Sequence, residues 1–318
     1  MFTFTVSKNL APVNQLINQA ATAHPQDFLR LIKHVIVLLK EEQEAQSTLV
    51  DGRLVHMAPS GEATIIGDIH GDLESLTHIL EGSGFLKKTQ KGENVHLIFL
   101  GDYGDRGLAS PEVHYIVLKL KETFTDKVIL LRGNHEGPQD MIAYPHDLPF
   151  QLKQKYGEEA GTKIMAELRQ LFNHLYNAVI IEGRAILVHG GLPSKATSIK
   201  DLACAHQTHP KESHLEEMLW SDPQEELEGT QPSPRGAGKL FGLDITKRIT
   251  RLAGVKVLIR SHEPSSESFK INHEGKVLTL FSTNKPPYMN KYAAYLQIDL
   301  SKNVKDANSL KEHIKQVD

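Results

Sequence analysis

The sequence predicts an α/β fold that joins a parallel βαβαβ unit to a second sheet. Over residues 63–132, short aliphatic stretches alternate with helical ones, which is typical of parallel strands connected by helices. The second half of the chain carries short stretches with the alternating pattern of strands. These are residues 177–182, 184–188, 277–281 and 293–299, and the first two flank Gly183 as a hairpin would. The pattern predicts a mainly antiparallel second sheet that faces the first.

Helical periodicity accounts for the segments between the strands. Pro25 suits a first helical position, and a broad apolar stripe follows it. Asp72 can cap the helix after the first strand, while Ser110 and Pro111 can start the helix after the second. A loop at the rim of the site and a further helix are predicted at residues 138–149 and 150–173.

The candidate functional residues are spread from Asp68 to His262 and must converge, so we expect residues 25–300 to form one catalytic domain. Residues 1–24 are polar with scattered aliphatics and predict an N-terminal extension with a loosely attached helix. Residues 301–318 predict a polar C-terminal tail that ends in a short helix. Residues 1 to about 20 and the tail after Ser301 are expected to be dispensable for chemistry on small phosphoesters.

Composition excludes several functional classes. The chain has 318 residues, of which 40% are hydrophobic and 24% charged, as in ordinary soluble domains. A formal charge of −3 gives no basic footprint for nucleic acid. No apolar run approaches the roughly 20 residues that span a bilayer, and no signal peptide is apparent. Cys204 is the single cysteine, which predicts a reducing, cytoplasmic setting.

Five predicted strands each end at a polar group suited to metal or phosphate. The five motifs are GDIHG at residues 67–71, GDYGDRG at 101–107, RGNHE at 132–136, HGG at 189–191 and RSH at 260–262. A single such turn is usually a solvated loop, but five in one chain make that interpretation improbable. In α/β sheets, ligand-binding and catalytic residues usually lie in the turns at the carboxyl ends of the strands. The side chains are carboxylates, imidazoles and one amide without a thiolate, which favours manganese, iron or zinc.

In this order the motifs resemble the PPP family of metal-dependent serine/threonine phosphoprotein phosphatases. The resemblance runs over residues 25–300, and the first three motifs in series are its most specific part. It implies a metallophosphoesterase-type β-sandwich of two mixed sheets flanked by helices. It also implies two metal ions, and the ligands that match the family's are Asp68, His70 and Asp102 for one ion and Asp102, Asn134, His189 and His262 for the other. Asp102 would bridge the ions.

The resemblance further implies how a phosphate ester is cleaved. A hydroxide shared by the ions would attack phosphorus directly. Arg106 and Arg235 would bind the phosphate oxygens, with Asn134 and Tyr288 also contacting substrate. His135 would protonate the leaving oxygen and Asp105 would orient it, although His135 could instead be a further metal ligand or a structural histidine.

The sequence departs from the family pattern at two places. Residues 281–288 read FSTNKPPY where these phosphatases usually carry S-A-P-N-Y after a strand, so the spacing of Tyr288 is shifted. Gly104 stands where a valine is usual. Neither change touches the predicted ligands, but both bear on the choice of macromolecular substrate.

Two other functions remain open from the sequence. One is hydrolysis of bis(nucleosyl) tetraphosphates, which uses the early motifs, and the other is non-catalytic binding of phosphoproteins. The expected partners are phosphoprotein substrates, with any regulatory subunit unidentified and with neither nucleic acid nor membrane involved. A cluster of His206, His209 and His214 has irregular spacing and follows no strand, so we interpret these histidines as surface residues.

Overall fold

The computed structural model describes residues 12–45 and 49–317. Its strands are β1 (Val50–Asp51), β2 (Leu54–Met57), β3 (Glu62–Ile66), β4 (Val95–Phe99), β5 (Val128–Leu130), β6 (Ala178–Ile181), β7 (Ala185–Leu187), β8 (Asp222–Pro223), β9 (Thr230–Pro232), β10 (Lys239–Phe241), β11 (Val257–Arg260), β12 (Phe269–Asn272), β13 (Val277–Leu280), β14 (Ala293–Asp299) and β15 (Ile314–Val317).

Helices occupy most of the remaining chain. The α-helices are α1 (Pro12–Thr22), α2 (Pro25–Glu44), α3 (Leu73–Ser83), α4 (Phe85–Gln90), α5 (Ser110–Thr123), α6 (Leu148–Tyr156), α7 (Glu158–Phe172), α8 (Ile199–Ala203), α9 (Ala205–Thr208), α10 (His214–Trp220) and α11 (Leu243–Leu252). Short 3-10 helices lie at Gln139–Met141 and Asn308–His313. Asp72 caps α3 as predicted, because its carboxylate accepts the backbone N–H of Ser75.

The first sheet contains the predicted βαβαβ unit. Its order is β15-β14-β3-β4-β5, with β3, β4 and β5 parallel and joined through α3, α4 and α5. Because the three strands point the same way, the turns that follow them meet at one edge of the sheet. Those turns carry the GDIHG, GDYGDRG and RGNHE motifs.

The second sheet has the order β1-β2-β6-β7-β11-β13-β12. The hairpin of β6 and β7 is confirmed, but the prediction of a mainly antiparallel sheet is wrong. The β2–β6, β7–β11 and β11–β13 pairs are parallel. The strand predicted at residues 293–299 exists as β14 but pairs antiparallel with β3 in the first sheet. Alternation in a sequence identifies a strand without identifying its partner.

The main core joins residues of both sheets to residues of α2, α3, α5 and α7. In β6, Val179 and Ile181 belong to this core, whereas Ala178 and Ile180 face a second core. The second core packs residues of α8, α10 and α11 against the outer face of the seven-stranded sheet. The strands at the centre of the molecule are thus buried on both faces, as in other α/β sheets. No helix within the described residues is long and apolar enough to cross a bilayer.

Both ends of the described chain are packed into the domain, which corrects the predictions made for them. Helix α1 lies against α5 and α3 and buries Val13 and Ala20, so residues 12–22 are not loosely attached. At the other end, Leu310 is buried and β15 pairs with β14. A strand therefore follows the short helix expected there. A few buried apolar side chains are enough to hold each end against the domain, because each of them packs on a neighbouring element. Residues 1–11 of the predicted extension lie outside the described residues.

Candidate metal centre and phosphate site

The ends of five strands from the two sheets bring the predicted ligands together. Asp68 and His70 follow β3, Asp102 follows β4 and Asn134 follows β5, whereas His189 and His262 follow β7 and β11 of the facing sheet. All six are buried. Four of the six belong to two groups whose ligand atoms lie within 4.8 Å of one another, and His135 joins the first group. The groups are His70–Asp102–His135 and Asp102–His189–His262. Asp102 is common to both groups.

The carboxylate of Asp102 presents one oxygen to each group. Its Oδ2 lies 3.5 Å from Nε2 of His70, and its Oδ1 lies 3.5 Å from Nε2 of His189. The backbone N–H of His135 donates to the same Oδ1 at 3.0 Å. A carboxylate that faces two clusters in this way has the geometry of a bridging ligand.

Two of the imidazoles are oriented for coordination through Nε2. Nδ1 of His70 lies 3.0 Å from the carbonyl oxygen of Gly104, and Nδ1 of His189 lies 3.0 Å from that of Leu100. A carbonyl only accepts, so each Nδ1 carries the proton and each Nε2 keeps a free lone pair. Nε2 of His70 is buried and has no hydrogen-bond partner within residues 12–45 and 49–317. This arrangement is what a metal ion requires.

Asn134 and His262 complete the second group. The amide oxygen of Asn134 lies 2.9 Å from Nε2 of His189 and 3.1 Å from Nδ1 of His262. Reversing the amide would direct its NH₂ at these nitrogens and at Asp102. The nitrogens of His189 and His262 and the carboxylate of Asp102 are acceptors that converge on one point. Such a point suits either the amide NH₂ or a cation. Burial lowers the pKa of His262 well below its ordinary value, and the charge of Arg235 adds to the effect. Neutral imidazole is the form that binds metal.

Asp68 is held in place by the facing sheet. Its Oδ1 accepts hydrogen bonds from the Ser261 hydroxyl at 2.5 Å and from the backbone N–H of His262 at 3.1 Å. Its Oδ2 remains directed at Nε2 of His70, 3.4 Å away. Ser261 thus fixes which oxygen of Asp68 faces the candidate metal position. The sequence analysis missed Ser261, although the residue immediately precedes His262.

Asp105 joins two histidines beside the metal centre. Its Oδ2 lies 2.7 Å from Nδ1 of His135 and 2.9 Å from Nδ1 of His146, and its Oδ1 accepts the backbone N–H of Leu148. Burial alone would raise the pKa of Asp105, but the contacts with His135 and His146 outweigh it and hold the pKa well below its usual value. His146 lies in the predicted rim loop and was missed, because no spacing in the sequence links it to Asp105.

Arg106 and Tyr288 meet across 182 positions of the chain. The guanidinium of Arg106 donates to the Tyr288 hydroxyl and lies within 3.4 Å of the carbonyl oxygen of Tyr144. The Tyr288 ring stacks on His70, with 5.3 Å between centroids. Despite its shifted spacing, Tyr288 therefore lies beside the metal centre. Arg106 is only partly buried, so its guanidinium can contact a ligand.

Arg235 lies close enough to His262 for its charge to lower the pKa of that imidazole. Its Nε donates to Oδ2 of Asp222 at 2.6 Å, and Oδ1 of Asp222 accepts from the buried Arg260 at 2.8 Å. Asp222 thereby positions Arg235 without enclosing it, since about a third of the Arg235 side chain is exposed. The strand pair β9–β10 carries the loop that contains Arg235.

Backbone strain marks the same residues. Five of the motif residues have positive φ angles, namely His70 (46°), Asp102 (53°), Asp105 (64°), Arg106 (70°) and His262 (72°). Side chains rarely adopt this conformation, and it concentrates at functional sites. Gly104 has a local explanation, because a Cβ at this position would lie only 2.6 Å from Cε1 of the buried His114. His114 thus fills the space that a larger residue would take.

Glu136 is the largest omission of the sequence analysis. Its buried carboxylate accepts the backbone N–H groups of Asp102 at 2.8 Å, Tyr103 at 3.1 Å and Gly133 at 3.1 Å. It therefore joins the turns after β4 and β5. Burial raises the pKa of Glu136, and the charge of Asp102 adds to the rise. The sequence feature that could have revealed Glu136 is its position in the RGNHE motif, directly after His135.

Glu136→Gln should destabilise the fold and weaken metal binding. The amide NH₂ would face backbone donors that now bind a carboxylate oxygen, and an unsatisfied buried donor costs about 1–3 kcal/mol. Urea unfolding and metal titration measure the two effects. Glu159→Gln is the control, since Glu159 is exposed and pairs with Lys163. Unchanged stability and metal affinity in Glu136→Gln would contradict this role.

Within the described residues, His206, His209 and His214 belong to no group of converging metal-ligating atoms, and the prediction that all three lie on the surface is wrong. His214 is buried in α10, and neither ring nitrogen has a hydrogen-bond partner in the described part of the chain. His209 lies 2.9 Å from Asp140 through Nε2. His214 is buried at the start of α10, whose residues Leu215, Met218 and Leu219 belong to the second core, and the sequence spacing alone does not indicate this.

Known proteins resemble this chain in sequence and in fold. A probable serine/threonine-protein phosphatase of Encephalitozoon cuniculi is 36% identical over 232 residues, which is 72% of this chain, and the chain spans about half (48%) of its length. Serine/threonine-protein phosphatase PP1-1 of Saccharomyces cerevisiae is 30% identical over 86% of this chain and 88% of its own. A solved Saccharomyces cerevisiae serine/threonine phosphatase, described as similar to human PP5, superposes with a TM-score of 0.72 at 24% identity, over 90% and 89% of the two chains.

The family model gives the most direct assignment. It describes the calcineurin-like phosphoesterases and matches residues 63–266, from β3 to just beyond His262. This range contains every predicted metal ligand. The resemblance predicted from the motifs is confirmed, and this chain belongs to the calcineurin-like phosphoesterase family.

Proposed function

We propose that the chain hydrolyses phosphoserine and phosphothreonine in proteins with two metal ions. The observation that carries the proposal is Asp102, whose two oxygens face two separate groups of buried ligand atoms. Arg106, which contacts Tyr288, and Arg235, whose charge acts on His262, would supply positive charge for phosphate. The curated relatives named serine/threonine-protein phosphatases support the same class of substrate.

The ligand set defines the class of metal. Carboxylates, imidazoles and an amide oxygen without thiolate suit manganese, iron or zinc. When bound, two such ions supply Lewis-acid chemistry, which neutralises phosphate oxygens and lowers the pKa of the attacking water. Asp68, His70 and Asp102 would hold one ion, and Asp102, Asn134, His189 and His262 would hold the other.

The remaining residues bind the phosphate and move a proton. Arg106 and Arg235 would bind the phosphate oxygens, and the Tyr288 hydroxyl would orient the Arg106 guanidinium and contact substrate. As the imidazolium, His135 would keep its Nδ1–H on Asp105, 2.7 Å away, and would give the proton at Nε2 to the leaving oxygen. An alkoxide from serine is a poor leaving group, so this proton matters most for phosphoprotein substrates.

The setting and partners follow from the same proposal. Phosphoproteins would be the substrates, and a regulatory subunit remains unassigned. A cytoplasmic location is supported by the single cysteine, Cys204, which suits a reducing compartment.

One substrate panel tests the proposed function. The manganese-loaded protein is offered phosphoserine, phosphothreonine and phosphotyrosine peptides beside diadenosine tetraphosphate. We expect the highest kcat/KM on the phosphoserine or phosphothreonine peptide. Faster hydrolysis of the tetraphosphate would replace the proposal with anhydride hydrolysis, and binding of phosphopeptides without turnover would indicate a non-catalytic module.

Alanine at Arg106 or Arg235 should reduce turnover and leave the metal content unchanged. Loss of one preorganised donor typically costs on the order of 10²-fold in kcat, and inhibition by inorganic phosphate should weaken in parallel. Lysine should restore only part of the activity, since it lacks the bidentate fork. Arg251→Ala on α11 is the matched control. Unchanged kinetics in Arg235→Ala would show that its loop plays no part in binding phosphate.

A further inference from the structure

Large apolar side chains are exposed beside the phosphate site rather than over the whole surface. The described residues with this property are Val37, Leu49, Leu108, Ile142, Tyr144, Phe150 and Met289. Five of the seven lie in three segments that contact Arg106 or Asp105. The most exposed are Leu108 and Met289, each at 97%. Concentrated apolar exposure of this kind usually marks an interaction surface.

Hydrogen bonds tie this apolar rim, which we define as Leu108, Tyr144, Phe150 and Met289, to the turn that holds Arg106. Leu108 is two residues from Arg106, and Met289 follows Tyr288, whose hydroxyl accepts from Arg106. The carbonyl oxygen of Tyr144 is 3.4 Å from the same guanidinium. The rim is therefore continuous with the group proposed to bind phosphate.

Phe150 is anchored to the same turn through its neighbour Gln151. The side chain of Gln151 donates to the carbonyl oxygen of Gly107 at 2.7 Å and accepts the backbone N–H of Ser110 at 3.0 Å. These contacts hold the start of α6 against the residues on either side of Leu108. Phe150 is nevertheless 68% exposed, so the fold positions the ring without using it in the core.

We propose that the apolar rim binds large apolar side chains that flank the phosphorylated residue of a protein substrate. An extended chain advances about 3.3 Å per residue, so residues two or three positions away lie roughly 7–10 Å from the phosphorylated one. Side chains at those positions would reach the rim, whose segments at Tyr144 and Tyr288 contact the phosphate-binding arginine. A nucleotide tetraphosphate carries no aliphatic groups at this spacing. The inference rests on the proposed function and specifies which phosphoproteins the site prefers.

Two phosphoserine peptides of equal length and charge test the inference on the manganese-loaded full chain. One carries leucine two positions before and after phosphoserine, and the other carries asparagine at both positions. We expect kcat/KM to be roughly 3–10-fold higher for the leucine peptide, because an open rim buries only part of each side chain. The difference should appear mainly in KM, since the contact is the same in ground and transition states.

The combined variant Leu108→Gln, Phe150→Gln and Met289→Gln should abolish this preference while kcat/KM for p-nitrophenyl phosphate stays unchanged. Val37→Gln is the matched control, because Val37 is an exposed aliphatic residue on α2, far from these loops in the chain. The control should keep the full preference. Equal turnover of the two peptides by the wild type, or a preference retained in the combined variant, would overturn the inference.

Three outcomes can be told apart. If p-nitrophenyl phosphate is hydrolysed and neither peptide is, the proposed function fails and the inference fails with it. If both peptides are hydrolysed equally, the inference fails and the proposed function stands. If the combined variant changes only the oligomeric state measured by light scattering, the rim joins copies of this chain and the substrate-binding role is rejected.

Discussion

Asp102→Asn should lose both metal ions and more than about 100-fold in kcat/KM. The carboxylate faces His70 with one oxygen and His189 with the other, so its change affects both groups at once. Partners outside the ligand shell typically contribute 10–100-fold to metal affinity or activity, and a ligand shared by two ions should exceed about 100-fold. Activation of the attacking water would be lost with the ions.

Metal analysis of the purified variant, together with kcat/KM on a phosphoserine peptide, measures this effect. Asp140→Asn is the control, because it makes the same chemical change in the rim loop, where Asp140 contacts only His209 among the hydrogen-bond partners found in the described residues. The control should keep its metal and most of its activity. An Asp102→Asn protein that retains two ions and full turnover would refute the bridging role.

His135→Asn should lose far more activity on phosphoserine peptides than on p-nitrophenyl phosphate. General acids contribute about 10²–10⁴-fold, and the contribution grows with the basicity of the leaving oxygen. An aryl ester departs readily without a proton, whereas a serine alkoxide does not. Asp105→Asn should show the same dependence on the leaving group, because Asp105 holds Nδ1 of His135 at 2.7 Å.

His146→Asn separates proton transfer from orientation in the same experiment. His135 and His146 both contact Oδ2 of Asp105, at 2.7 and 2.9 Å, so each supports the carboxylate to a similar degree. If His135 is the acid, His146→Asn should lower kcat/KM modestly and equally on both substrates. The comparison is made at matched metal occupancy. Equal losses on the two substrates for His135→Asn would leave it a positioning or metal-binding residue.

The sequence was most informative about the strands that are followed by candidate metal-binding or phosphate-binding motifs. All five motif strands exist, because short aliphatic runs followed by glycine and a polar residue have few alternative structures. It was less informative about pairing. Residues 293–299 alternate as a strand should, but only the folded chain shows that they pair with β3 rather than with the second sheet. Residues 12–22 bury only two side chains, which is too weak a signal to predict firm packing.

The residues that support the site were the hardest to predict. The predicted ligands converge, whereas Glu136, His146 and Ser261 act through hydrogen bonds that no periodicity records. Glu136 binds three backbone N–H groups, so its role depends on loop conformations that exist only after folding. The contact of Arg106 with Tyr288 likewise requires the two sheets to be in place.

Anomalous diffraction from crystals grown with manganese tests the central claim most directly. We expect two peaks, one beside Oδ2 of Asp102 and Nε2 of His70, and the other beside Oδ1 of Asp102, Nε2 of His189 and Nδ1 of His262. Asp102 should lie between the peaks and contact both ions. A single peak, or peaks that do not share Asp102, would contradict the dinuclear centre.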